Sequence, residues 1–144
     1  MTLKKITPLS VILVSSMASL VHAADLTITI TEIQNPKGEV YVAVYDSEQS
    51  YLNLPQAKAK LMEKPKDGRV VLVVHDLPAG RYAVASFQDL NGNAELDKNG
   101  LGVPQEPYGF SNDAIGLAGP PKFNKAAFNV DGKADKAVSF SLHN

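Results

Sequence analysis

The chain has 144 residues, no cysteine, no tryptophan and a formal net charge of −1 at pH 7. This length suits one globular domain and excludes a multidomain enzyme. Its 14 basic residues stand against 15 acidic ones, so no cationic excess is available to displace counterions from a duplex. We therefore expect no nucleic-acid partner.

Residues 1–23 have the features of a secretory signal peptide. Lys4 and Lys5 give a charged start, residues 11–20 are apolar or small, and Ala23 ends a cleavage signal. A membrane-spanning helix needs about 20 predominantly apolar residues, and this run is shorter. The sequence predicts a signal peptide over 1–23, a domain over 24–144, a periplasmic or secreted location and no transmembrane anchor after cleavage.

Alternation of apolar and polar residues predicts the first strands of this domain. Residues 26–31 place aliphatic side chains on one face and threonines on the other, and residues 40–45 repeat a period of two. Such alternation is typical of half-buried strands. Because residues 35–38 read as a turn, the two strands are predicted to pair as a hairpin.

The next stretch, residues 47–67, interrupts the alternation. Pro55 suits the first turn of a helix, and residues 56–62 are mostly good helix formers. A short helix or an irregular crossover is therefore predicted there.

Four further strands are predicted after residue 68. Residues 69–75 are nearly all β-branched or aliphatic, which is typical of a central strand covered on both faces. A turn leads from it to a strand over 81–87. Residues 126–130 and 137–142 are predicted to pair around an Asp131-Gly132 turn.

Six or seven short strands with turns between them indicate an all-β fold, a single β-sandwich of immunoglobulin-like type. One short helix and one long loop, residues 89–124, complete the predicted domain. A structureless connection of that length is rare in a compact domain. Tyr108, Phe110 and Phe123 lie in this segment, so we expect it to be ordered, with these aromatic rings either packed on the sandwich or presented to a partner.

The beginning of the long loop has the spacing of a calcium-binding loop. Asp89, Asn91, Asn93 and Asp97 occupy relative positions 1, 3, 5 and 9, and Glu95 occupies position 7, where a backbone carbonyl binds the ion. Alternate side chains of a curled loop converge on its centre. Ca²⁺ is therefore the one cofactor that the sequence suggests.

The match to an EF-hand-type loop is incomplete. Ala94 stands where glycine is usual, and Gly100 stands where a bidentate glutamate is expected. The missing ligand would come from Glu106 or Asp113. The alternative interpretation is an Asx-rich turn in which Asp89 bonds the backbone of its own loop.

No catalytic residue is predicted. His75 and His143 lie near strand ends, with no serine, cysteine or acidic partner at a recognisable nucleophile spacing. The alternative function is a carboxylate-dependent hydrolase of the cell envelope, with Asp89 or Asp97 and Glu106 as acid and base.

Four motifs together resemble one family of small exported bacterial proteins, catalogued as a domain of unknown function. They are the Leu-Pro-Ala-Gly-Arg-Tyr turn at 77–82, the Asp-x-Asn-Gly-Asn block at 89–93, the Gly-x-Pro-x-Glu-x-Tyr-Gly-Phe-Ser-Asn block at 102–112 and the Gly-Pro-Pro-x-Phe block at 119–123. The resemblance implies export and a β-rich domain, and it carries no established activity. The turn at 77–82 is also similar to transthyretin-like and collagen-adhesin B-type sandwich modules.

We accordingly expect an exported, non-enzymatic binding or structural module. Its long loop is acidic, with Asp89, Glu95, Asp97, Glu106 and Asp113 against two lysines. This loop is predicted to bind calcium and to present a recognition surface. The expected partner is an envelope or extracellular protein, a glycan or a small ligand.

Overall fold

The protein is a sandwich of two β-sheets in a computed structural model that describes residues 23–144. The predicted signal peptide, apart from Ala23, lies outside the described residues. Within residues 23–144, no helix is long and apolar enough to cross a membrane. The strands are β1 Ala23–Thr31, β2 Glu39–Tyr45, β3 Ala59–Glu63, β4 Val70–Pro78, β5 Gly80–Asp89, β6 Tyr108–Phe110, β7 Phe128–Val130 and β8 Lys136–Ser141. One short helix, α1, spans Phe123–Ala126, and 3-10 turns span Leu54–Gln56 and Ser111–Asp113.

The smaller sheet has the order β4-β1-β8, with β1 antiparallel to β4 and parallel to β8. Leu26, Ile28 and Ile30 of β1 are fully buried, while the threonines between them are half-buried on the other face. The predicted alternation of this strand is therefore confirmed.

The larger sheet has the order β3-β2-β5-β6, and β7 also pairs with β5. The main core lies between the two sheets and is formed by one face of each sheet. Its contributors include Ile28, Val42, Val84, Phe128 and Phe140. The prediction of an all-β sandwich is confirmed, with eight strands among the described residues where six or seven were predicted.

Both predicted hairpins are wrong. β1 and β2 lie in different sheets, and β7 pairs with β5 while β8 pairs with β1. Two strands that are adjacent in sequence can bury their apolar faces side by side in one sheet or face to face across a sandwich. The period-2 pattern is the same in both cases, so it does not distinguish them.

The helix or irregular crossover predicted between 47 and 67 is only partly found. Leu54–Gln56 forms a 3-10 turn with Pro55 at its start. Ala59–Glu63 is a strand, β3, which pairs antiparallel with β2 at the edge of the larger sheet. Pairing with a neighbouring strand outweighs the modest helix preference of these residues, because propensity is a weak prior.

The prediction that residues 69–75 form a central, doubly covered strand is wrong. β4 is an edge strand of the smaller sheet. Val71 and Val73 are 51% and 37% exposed on its outer face. β-branched residues favour the extended backbone whether or not both faces are covered, so a run of valines does not reveal the strand's position.

A second apolar cluster lies on the outer face of the larger sheet. Phe110, Phe123 and Ala126 are buried there against Ala83 of β5. The Ser111 hydroxyl is fully buried, donates to the carbonyl of Ala126 at 2.5 Å and accepts the backbone N–H of Val84 at 2.9 Å.

This cluster decides between the two interpretations of the aromatic residues. Phe110 and Phe123 pack the long segment onto the sandwich, and Tyr108 is half-buried beside them. Residue 126, predicted to begin a strand, ends helix α1 instead, and the strand begins at Phe128.

Candidate functional site

Asp89 organises the beginning of the long loop. It is the last residue of β5 and is 2% exposed. One carboxylate oxygen accepts the backbone N–H groups of Asn91 and Gly92 at 3.2 and 2.7 Å, and the other accepts that of Ala94 at 2.8 Å. The chain therefore curls around this carboxylate. This is the Asx-rich turn given above as the alternative to a calcium-binding loop.

These hydrogen bonds control the ionisation of Asp89. Burial by itself raises the pKa of the carboxyl, because it disfavours the charged form. The backbone N–H groups of Ala94, Gly92 and Asn91 outweigh burial, so the pKa of Asp89 lies below its ordinary value. The carboxyl is ionised at neutral pH.

Glu106 joins the two ends of the same loop. It is 5% exposed, and its carboxylate oxygens accept the backbone N–H groups of Leu90 at 2.8 Å and Asp97 at 3.1 Å. This residue is the nearer of the two candidates for a missing calcium ligand. The carboxylate of the other candidate, Asp113, does not contact the loop in this way but accepts the backbone N–H of Ser141 at 2.8 Å, on the edge of the smaller sheet.

Asp97 meets the two loop asparagines. The side-chain amide of Asn91 donates to one carboxylate oxygen, and that of Asn93 donates to the other at 3.0 Å. The amide oxygen of Asn93 accepts the backbone N–H of Glu95 at 2.9 Å, and Ala94 has a positive φ of 61°. The structure thus brings Asp89, Asn91, Asn93 and Asp97 into one compact loop.

Carboxylates alone do not form a metal site in this loop. Within residues 23–144, no three histidine, cysteine, aspartate or glutamate side chains lie together in a way that could hold a metal ion. A calcium ion would have to combine Asp89 and Asp97 with amide and backbone carbonyl oxygens, both of which Ca²⁺ accepts.

An extended, largely apolar surface lies beside this loop. A groove of about 1100 Å³ crosses the outer face of the larger sheet; we call it the outer groove. Its floor contains Tyr41, Ala43, Ala85 and Phe87, and the rings of Tyr41 and Phe87 stack with centroids 5.2 Å apart. Both rings project outward from paired positions of β2 and β5.

Two parts of the long segment form walls of the outer groove. Residues 101–104 line one part of it and residues 116–120 another. Leu101 is 90% exposed, and Leu117 is fully exposed. Ala94, Leu96 and Lys98 also line the groove, so the loop organised by Asp89 contributes directly to it.

The charged residues that line the outer groove are Lys60 and Lys98, and no acidic side chain is among its lining residues. Asp89, Asp97 and Glu106 are therefore not part of its wall. The acidic character of the long segment lies beside the groove and not inside it.

The sequence reasoning missed the outer groove, although a signal for it was present. Residues 41, 43 and 45 of β2 and 83, 85 and 87 of β5 are alanine or aromatic. These are the outward positions of strands whose other face is in the core. A strand exposed to water usually places polar residues at such positions, so this pattern indicates that the outer face is also covered or occupied.

Among residues 23–144 the histidines are His75 and His143, and neither lines the outer groove. His75 is exposed, and its Nδ1 is 2.7 Å from a carboxylate oxygen of Asp25 on the neighbouring strand. Spacing along the sequence does not reveal this partner, because Asp25 is 50 residues away and β1–β4 pairing brings the two residues together. This hydrogen bond lowers the pKa of Asp25. His143 pairs through its backbone with Tyr108.

Comparison with known proteins gave one match. Residues 28–138 match the sequence model of a family described as an uncharacterized protein conserved in bacteria, DUF2141. Neither the curated proteins nor the solved structures contain a match. The resemblance to a bacterial family of unknown function is confirmed, and the likeness to transthyretin-like modules stays a prediction.

Proposed function

Since the chain belongs to this bacterial family, whose description states no activity, we propose a function from the geometry of the chain itself. The protein is an exported, non-enzymatic binding module that holds an apolar ligand in the outer groove. The observation that carries the proposal is a large groove with an aromatic and aliphatic lining on a sheet whose opposite face is already in the core.

Three features of the groove support binding. Small-molecule sites are concave, mostly apolar and usually about 300 to 1,000 Å³ in volume, and the outer groove, at about 1100 Å³, is slightly larger than this range. Its floor lies on paired strands, which are rigid, and the loop contributing to its wall is closed by hydrogen bonds to Asp89 and Glu106. A preformed site of this kind avoids much of the entropic cost of binding.

The test is to fill the groove. Ala85→Trp places a large ring on the floor, and because the chain has no tryptophan, it also introduces a single fluorescent reporter. We expect the wild-type protein to bind a neutral apolar dye, Nile red, saturably with one site, and the variant to bind it at least tenfold more weakly. Ala137→Trp is the matched control, since Ala137 is exposed on β8 of the smaller sheet.

A second variant guards against misfolding of the first. Leu101→Asp changes a side chain that is 90% exposed, so it should leave the fold unchanged and still weaken dye binding. Dye binding that is absent from the wild type, or that is unaffected by both variants, would refute the proposed function.

We also propose that the loop of residues 89–97 binds calcium and stiffens the wall of the groove. Asp89, Asn91, Asn93 and Asp97 support this proposal, because their side chains gather within one curled loop. Ca²⁺ accepts carboxylate, amide and backbone carbonyl oxygens together. Sites of extracellular modules have dissociation constants of roughly 0.1 to 1 mM.

Thermal unfolding with calcium and with a chelator tests the ion site. Calcium at 100 times its dissociation constant should stabilise the folded protein by about 2.7 kcal/mol. Asp97→Asn should abolish this shift, and Asp113→Asn, outside the loop, should keep it. Equal melting temperatures in calcium and chelator would eliminate the ion and leave the groove proposal intact.

The hydrolase alternative has less support. The carboxylate oxygens of Asp89 and Glu106 already accept backbone N–H groups of the loop. A general acid or base needs a lone pair or proton available to substrate. Neither residue lines the outer groove, so no observation favours an acid–base role over the structural one.

A further inference from the structure

The outer groove combines an apolar lining with charge of one sign. Its floor is aromatic, its rims carry Leu101 and Leu117, and its charged lining residues are Lys60 and Lys98. A purely apolar ligand would gain nothing from two lysines. A cationic ligand would be repelled by them, with no acidic lining residue to compensate.

We propose that the ligand of the outer groove is a long-chain fatty acid, whose alkyl chain lies on the aromatic floor and whose carboxylate binds at Lys60 or Lys98. This inference rests on the proposed function and names the chemistry of its ligand. The charge of the lining selects an anion, and the extent of its apolar surface selects a long chain.

The placement of the two lysines suits such an amphiphile. Lys60 lies on β3, opposite Ala43 on the outer face, and it is exposed. Lys98 is exposed in the loop that follows Asp97. A lysine can lay its methylene stem along an apolar surface and keep its ammonium group in water, so a carboxylate can be bound at the mouth while the alkyl chain is buried.

A free fatty acid is favoured over a membrane phospholipid as the source of the anion. The two lysines do not make this choice, because lysine binds carboxylate and phosphate alike as a point charge. The shape of the site does: a concave groove of about 1100 Å³ can enclose a small ligand, whereas the surface of a bilayer is too broad to enter it. Phospholipid vesicles are therefore expected not to compete with the fatty acid.

Displacement of Nile red by three amphiphiles of equal chain length tests the inference. Hexadecanoate, hexadecanol and hexadecyltrimethylammonium would be compared below the concentrations at which they form micelles. We expect the acid to bind more tightly than the alcohol, and the alcohol more tightly than the ammonium compound. Shortening the acid by two methylene groups should weaken binding about fifteenfold, since each buried methylene contributes about fourfold.

Charge variants locate the head group. An exposed ion pair is worth up to about fivefold in affinity, so the double variant Lys60→Gln, Lys98→Gln, which removes whichever lysine binds the carboxylate, should reduce the preference for the acid over the alcohol about fivefold and leave alcohol binding unchanged. Lys58→Gln is the matched control, because Lys58 is an exposed lysine nearby that does not line the groove. High salt should reproduce the effect of the double variant.

The outcomes separate the two proposals. Equal binding of acid, alcohol and ammonium compound, or a preference that the double variant leaves unchanged, would overturn the fatty-acid inference while the groove remains a binding site. Preferential binding of phospholipid vesicles, or a dimer in light scattering that Leu101→Asp dissociates, would assign the groove to another occupant and also overturn it. Failure of dye binding in the wild type would instead refute the proposed function.

Discussion

Asp89 is the residue on which the local structure of the acidic loop depends most. Its carboxylate is buried and accepts three backbone N–H groups that would otherwise lack partners. Buried donors without acceptors are costly, and hydrogen bonds to a charged acceptor are stronger than neutral ones. The loop therefore needs this carboxylate whether or not an ion binds.

Replacing Asp89 should destabilise the protein even in the presence of a chelator. We expect Asp89→Ala to lower the free energy of unfolding by about 2 to 4 kcal/mol, because three donors lose their acceptor. Urea denaturation would measure the change. Asp131→Ala is a useful comparison, since Asp131 accepts two backbone N–H groups in an exposed turn, and its loss should matter much less. Equal losses in the free energy of unfolding for the two variants would show that burial of the Asp89 carboxylate does not increase its contribution to stability.

The lowered pKa of Asp89 predicts a pH dependence with a definite sign. A carboxyl whose pKa is lower in the folded than in the unfolded chain stabilises the fold above its unfolded pKa, and this stability is lost as the pH falls through the folded value. The difference in unfolding free energy between wild type and Asp89→Asn should therefore be constant near pH 7 and shrink below about pH 4. Urea midpoints at several pH values would reveal it. A constant difference down to pH 2 would contradict the assignment.

The loop also holds Ala94 in a strained backbone conformation. Its φ of 61° is unfavourable for a residue with a Cβ by about 1 to 2 kcal/mol. Ala94→Gly should therefore stabilise the protein by up to about 1 kcal/mol, after the greater flexibility of glycine in the unfolded chain is subtracted. The reverse change, Gly92→Ala, at φ 80° with no neighbouring atom within 4 Å, should destabilise by about 1 kcal/mol. Thermal melting of both variants measures the two effects. Melting temperatures that shift in the same direction would refute the explanation by backbone strain.

At the scale of elements, β6 connects the two sheets. It pairs with β5 in the larger sheet, and Tyr108 exchanges two backbone hydrogen bonds with His143, just beyond β8 of the smaller sheet. Gly109, the middle residue of β6, faces β8 closely. A Cβ at this position would stand 2.3 Å from the carbonyl oxygen of Ser141. The absence of a side chain is what allows the strands to approach.

Gly109→Ala should separate these strands. Because the clash is with a backbone atom, we expect a loss of about 2 to 3 kcal/mol in the free energy of unfolding. Gly100→Ala serves as the control, since no atom lies within 4 Å of a Cβ built there, and it should have almost no effect. Denaturant unfolding of the two variants gives the comparison, and similar stabilities would show that the contact can relax without cost.

At the scale of the whole molecule, apolar surface lies on both faces of the larger sheet. One face forms the core with the smaller sheet, and the other carries the second cluster and the outer groove. The outer face of the smaller sheet is mixed, because it carries the threonines of β1 together with the exposed Val71 and Val73 of β4. The outer groove, which we propose as the binding surface, lies on the larger sheet.

The two apolar layers should differ in their contribution to stability. Phe140 is buried in the main core. Phe140→Ala should lower the free energy of unfolding by about 3 to 5 kcal/mol, which is a large part of the total for a domain of this size. Phe123→Ala, in the outer cluster, should lower the urea midpoint less and increase amide hydrogen exchange mainly in residues 111–127. An equal rise in exchange throughout β1 would contradict this separation.

The sequence by itself determined several of the local conformations of this protein. Period-2 alternation in residues 26–31 identifies a strand, and the carboxylate and amide spacing of residues 89–97 identifies a curled loop. These features depend on interactions between residues close in the chain, such as the backbone N–H groups bound by Asp89, so their pattern is visible without the fold.

Only the tertiary structure decided how these parts are combined. Which strands pair, why β4 is at an edge, why residues 59–63 are extended and where the outer groove lies all depend on contacts between distant residues. A β-strand satisfies its hydrogen bonds and buries its apolar face through partners elsewhere in the chain. The same alternating pattern fits several partners, and the choice among them is made by the packing of the whole sandwich.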